Sequence, residues 1–116
     1  MSQEQRRHAR YDSLNLLHFA MPSGPVPEMQ GMGRTLNVSE SGILLETQEP
    51  IEPNGTIELT IGLEDNLVTI EGETIHCRPT PDHRYSTGIR FSQMSDSARA
   101  VLDRYIQFFE ERKQKR

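Results

Sequence analysis

Apolar and polar residues alternate in short stretches along most of this chain, and the period lengthens only near its C-terminal end. Thr56-Ile57-Glu58-Leu59-Thr60-Ile61 alternates with period 2, the pattern of a half-buried strand. Residues 67–78 make a longer strand. Strict alternation puts Val68, Ile70, Gly72, Thr74 and His76 on one face, and Leu67, Thr69, Glu71, Glu73, Ile75 and Cys77 on the other. The apolar character changes near Gly72, which predicts a bulge or bend there. Further strands are predicted over residues 14–19, 32–38, 43–47 and 85–91. Turn chemistry separates them: Pro53-Asn54-Gly55, Glu64-Asp65-Asn66 and Pro79-Thr80-Pro81-Asp82-His83. Pro22-Ser23-Gly24-Pro25-Val26-Pro27 reads as a loop between the first two strands.

From about residue 95 to 113 the period becomes helical. Ala98, Val101, Leu102, Tyr105, Ile106 and Phe109 form one apolar stripe. Ser95 suits the N-cap, and Asp96 suits the positive end of the helix dipole. Phe108 falls off the stripe and is a candidate partner contact. Five or six short strands followed by one amphipathic helix read as a small closed antiparallel barrel with a helical cap. Residues 1–12 are polar and basic and are expected to be a flexible arm; residues 13–116 are expected to be the folded domain.

A chain of 116 residues is one domain and can bury roughly two-thirds of its unfolded surface. The formal net charge of -4 argues against a nucleic-acid binder, which needs a basic excess. Aromatic residues make up only 6% and there is no Trp, which opposes a stacking barrel for single strands. Cys77 is the only cysteine, so no intrachain disulfide forms. No apolar stretch approaches membrane-spanning length and the N-terminus lacks a signal-peptide core, so a cytoplasmic protein without membrane insertion is expected.

Against this acidic background, basic residues gather at the two ends. Gln5-Arg6-Arg7-His8-Ala9-Arg10 holds an Arg-x-x-x-Arg spacing at Arg6 and Arg10. Guanidinium is always charged, and its planar fork pairs bidentately with phosphate or with the O6/N7 edge of guanine. About thirty residues on, Asn37-Val38-Ser39-Glu40-Ser41-Gly42 reads Asn-x-Ser-x-x-Gly. It supplies uncharged donors and acceptors beside a glycine. The plainer readings are a solvated basic tail and an ordinary β-turn. Together the two halves suit a guanine nucleotide. Other groupings are weaker. His76-Cys77 has no second ligand pair at metal spacing, so no metal site is expected. Glu71 and Glu73 lack an accompanying nucleophile or base, and no catalytic constellation can be assembled, so an enzyme is not expected.

In this order and spacing, the two motifs resemble those of the PilZ domain family. Tyr85-Ser86-Thr87-Gly88-Ile89-Arg90-Phe91 looks like that family's last barrel strand, and the helix after it like its C-terminal helix. The resemblance implies a mainly β fold: a small antiparallel six-stranded split β-barrel with a C-terminal α-helix. It implies a receptor for cyclic di-GMP that signals through a partner protein. The ligand residues carried over are Arg6, Arg7, Arg10, Asn37, Ser39 and Gly42, with Gln5, Ser41 and Arg90 as additional candidates. Gly42 is expected to permit a tight chain reversal. Arg90 fits either the ligand side or an acidic neighbour. The family often has a further arginine where this chain has Gln5, and that arginine favours a ligand dimer. Gln5 therefore points to one ligand per protomer. No other cofactor is expected, and the assembly is expected to be a monomer or homodimer. The alternative is an adaptor of the same family that acts through protein contacts alone, as in pilus or motility machinery.

Overall fold

The computed structural model describes residues 16–22, 29–63 and 65–114. Along these, β1 (Leu16–Met21), β2 (Met29–Val38), β3 (Gly42–Thr47), β4 (Thr56–Leu63), β5 (Asn66–Pro79) and β6 (Tyr85–Gln93) precede a helix, α1 (Asp96–Gln114). The strands pair in the order β1-β2-β3-β6-β5-β4, and β1 closes on β4, so the sheet is a closed antiparallel barrel. The six-stranded mainly β expectation therefore holds. Residues 14 and 15 of the expected first strand and most of the loop after it lie outside the described residues.

Inward-facing Leu17, Phe19, Leu45, Ile57, Leu59, Ile61, Ile70 and Ile89 fill the barrel. The alternation of β4 is borne out: Ile57, Leu59 and Ile61 are fully buried. Ala98, Val101, Leu102, Tyr105 and Phe109 of α1 complete the same core. Fully burying a side chain such as Leu102 contributes about 1.5–3 kcal/mol. Ser95 caps α1, its Oγ accepting from the Ala98 N–H at 3.1 Å. Phe108 stays exposed, as its place off the stripe predicts.

Two strands depart from strict alternation. In β2 the register slips between Thr35 and Asn37, making Leu36 the extra residue of a bulge. In β5 one irregularity falls at Glu71/Gly72, as predicted, and a second at Thr74/His76. The second changes the expected faces. Thr74 pairs with inward Ile89, but His76 pairs with Gly88 and lies on the outer side instead of sharing Thr74's face. Thr74 is fully buried, and its hydroxyl donates to the Glu52 carbonyl at 2.7 Å while accepting from Gly55 N–H at 2.9 Å. This fastens the turn around Asn54, whose φ of 65° fits the Asn-Gly signal.

Thr35 and Tyr105 share a buried hydrogen bond of 2.7 Å between β2 and α1. Burial pushes the Tyr105 phenol above its ordinary value of 10.0, against the opposing pulls of Thr35 and Arg112. The fold thus favours the protonated phenol. That contribution is fully present below the unfolded value and is lost as pH rises through the folded value. Tyr105→Phe should cost about 1–2 kcal/mol in urea unfolding, because it leaves the Thr35 hydroxyl buried and unpaired. It should also blunt the loss of stability above pH about 10, so the two unfolding curves should converge there.

Candidate functional site

The β2 bulge decides what the Asn37–Gly42 segment presents. Unbroken alternation would put Asn37 on the same face as Thr35, which points into the core. The extra residue at Leu36 turns Asn37 to the surface while Val38 returns to the core. Ser39 N–H then donates to the Gly42 carbonyl at 2.8 Å, and Ser41 N–H to Ser39 Oγ at 3.3 Å. The Ser41 carbonyl accepts from Phe91 N–H at 2.9 Å, which ties the turn to β6. Val38 N–H donates to Asn37 Oδ1 at 3.0 Å, so the Asn37 NH2 is the half of that amide left for a ligand among the described residues.

Gly42 differs from the expected role. Its φ lies outside the left-handed region, so it does not make the reversal. It is instead the first residue of β3, paired with Arg90, and a Cβ there would run into the Ile89 carbonyl. Glycine is needed for close approach of two backbones.

Register places two rows of outward residues beside the turn. One runs Asn37, Leu44, Gly88, His76; the other runs Gly42, Arg90, Glu73. Between them lies an open groove of about 350 Å³ lined by Asn37, Ser39, Gly42, Leu44, Ile75 and Arg90. Leu44, Ile75 and Gly88 give it an apolar floor. Gly88 keeps that floor low, because the His76 imidazole lies against it where a side chain would stand. Sequence reasoning did not assign Leu44, Ile75 or Gly88 to a site. For Leu44 and Gly88 the signal was the i, i+2 spacing from Gly42 and Arg90, legible only once strand register is known; Ile75, the unmatched residue of the second β5 irregularity, had none.

Arg90 takes both of its expected parts: it lines the groove and pairs with Glu73 at 2.9 Å. Both partners are more than half exposed, so the pair contributes little, within about 1 kcal/mol, and is exchangeable. With Glu73 beside it, the described part of the groove has no net positive charge. Arg6, Arg7, Arg10 and Gln5 lie outside the described residues. A larger groove of about 1000 Å³ continues past Arg90 toward α1. Glu40, Glu58 and Glu71 line it, which makes it the poorer host for a phosphate. Arg99 donates across it to the Glu40 carbonyl at 3.2 Å, linking α1 to the turn. No group of three metal-ligating side chains occurs among the described residues.

A family model described as the PilZ domain matches residues 4–108. No curated protein matches the chain. Among solved structures, the Bacillus subtilis inhibitor of motility (MotI/DgrA) is similar, with a TM-score of 0.62 at 16% identity over 87% of this chain and 48% of that one. A tetrameric PilZ-domain protein of Xanthomonas campestris, self-assembled through a helical bundle, is similar with a TM-score of 0.53 at 15% identity. That match covers 100% of this chain and 64% of the Xanthomonas protein. The chain therefore spans less than two-thirds of either neighbour, and at these identities the likeness concerns the fold.

Gly42→Ala should lower stability by about 1–3 kcal/mol in urea unfolding, since the Ile89 backbone must move to admit the methyl. Exposed Ser41→Ala should stay within about 0.5 kcal/mol of the parent protein.

Proposed function

The chain belongs to the PilZ domain family, and on that premise we propose that it is a cyclic di-GMP receptor that binds the nucleotide without turning it over and signals through a partner protein. The observation that carries this reading is the groove beside the turn. It sets the uncharged hydrogen-bonding groups of Asn37 and Ser39 at the rim of an apolar floor, with one exchangeable arginine alongside. A purine is served by such a surface: apolar area under the ring and polar groups at its edge.

The missing ingredient is positive charge, since a cyclic dinucleotide carries two phosphates and Arg90 is already neutralised by Glu73. In this reading Arg6 and Arg10 supply it, and Arg7 strengthens the field. Their guanidinium forks pair with phosphate and guanine, and one stacks on a base. Arg90 leaves Glu73 for the ligand. The turn then passes its displacement to α1 through the Arg99 bond to the Glu40 carbonyl, which changes the surface offered to a partner. In this reading the partner is a separate protein.

Calorimetric titration with cyclic di-GMP, with GMP and cyclic AMP as controls, tests the proposal. Saturable, selective binding near one ligand per protomer is expected, with Gln5 as the reason for that stoichiometry. No heat from a folded sample at millimolar ligand would favour the adaptor. In the same titration Arg10→Ala should weaken binding by about 1–3 kcal/mol, the worth of a bidentate guanine contact. Glu73→Gln should tighten it by about two- to fivefold, because Arg90 no longer has a carboxylate to give up.

A further inference from the structure

Away from the nucleotide groove, β2 is longer than the strand beside it. Its pairing with β3 begins at Arg34↔Glu46, whereas its pairing with β1 runs back to Met29. Among the described residues, 29–32 are therefore laddered on one side only, and their other edge faces a groove of about 490 Å³. An open strand edge carries unpaired N–H and C=O groups that accept another strand. Leu16, Met29 and Met32 give apolar contact along it.

The groove also has a built head. Glu46 is only 7% exposed, and its Oε1 takes Arg34 Nε at 3.0 Å and Arg84 Nη1 at 3.9 Å. A carboxylate this buried is costly unless paired, so it holds both guanidiniums in place. Both arginines remain about half exposed, and one carboxylate cannot neutralise two of them. Arg84 sits on an ordered hairpin, where Thr80 N–H donates to the Arg84 carbonyl at 2.8 Å and His83 holds a φ of 64°. Just past the end of β3, Glu49 also lines the groove. The charge order is thus net positive at the arginine head and negative beyond β3.

We propose that this groove is a docking site for an extended segment of a partner protein, which adds as a strand to β2. An acidic side chain of the segment meets Arg34 and Arg84, and a basic one meets Glu49. The proposal is independent of nucleotide binding and concerns the opposite end of β2.

The test is a titration of the nitrogen-labelled full chain with two short peptides, followed by amide chemical shifts. One is acetyl-Asp-Val-Thr-Val-Thr-Lys-amide, and the other has the reverse order, since a strand adds in either direction. Saturable shifts confined to residues 29–33, 47–49 and 84 are expected from one of the two. They should weaken at least about fivefold in Arg84→Ala, or when the peptide Asp is replaced by Lys. The Lys-for-Asp peptide keeps the test decisive if the variant is poorly folded. Absence of shifts from both peptides up to about 5 mM would overturn the proposal. So would shifts elsewhere, shifts indifferent to the peptide Asp, or concentration-dependent shifts of the same amides without peptide, which would assign the edge to a second copy of this chain.

Discussion

In a closed barrel no strand can slip by one residue without turning its inner face to water, so an extra residue has to be absorbed where it occurs. β2 absorbs one at Leu36. Thr35 on one side of the bulge stays in the core, bonded to Tyr105 of α1, and Val38 on the other side returns to it. Asn37 is the residue left outside. The same local irregularity that preserves the barrel therefore delivers a polar side chain to the surface beside a turn. Everything else at the candidate site is arranged around that point: the Ser39–Gly42 bond, the Ser41–Phe91 bond and the floor formed with β6.

The bulge at Thr74/His76 acts in the same way from the opposite strand. It leaves Thr74 inside, fastening the Asn54 turn, and turns His76 out against Gly88. Ile75 is exposed as a result and becomes part of the groove floor. Packing and site are thus products of one constraint, closure of a sheet whose strands carry more residues than their partners can match.

This explains what the sequence could and could not reveal. The β4 alternation and the α1 stripe with its Ser95 cap were legible, because each depends on residues within a few positions of one another. The irregularity near Gly72 was legible too, since a change of apolar face marks it. Leu36 and Ile75 gave no such sign. Thr35-Leu36-Asn37-Val38 reads as clean alternation, and only the barrel partner and Tyr105, seventy positions on, decide that Thr35 faces inward. Gly42 was identified as important for the wrong reason: the constraint is the Ile89 carbonyl on β6, a neighbour that no local motif announces. The Arg90 ambiguity was real, since its groove and its Glu73 partner coexist.

The electrostatics set the remaining demand. An acidic chain presents a groove of neutral polar groups, an apolar floor and one compensated arginine, so an anionic ligand needs cations brought from elsewhere in the chain. The most direct measurement of this account is an amide hydrogen-exchange footprint of the folded chain with and without cyclic di-GMP. The account predicts slowed exchange over residues 37–42 and 88–90, together with the segment carrying Arg6 and Arg10. Slowed exchange confined to the acidic groove lined by Glu58 and Glu71, or no change at saturating nucleotide, would contradict it.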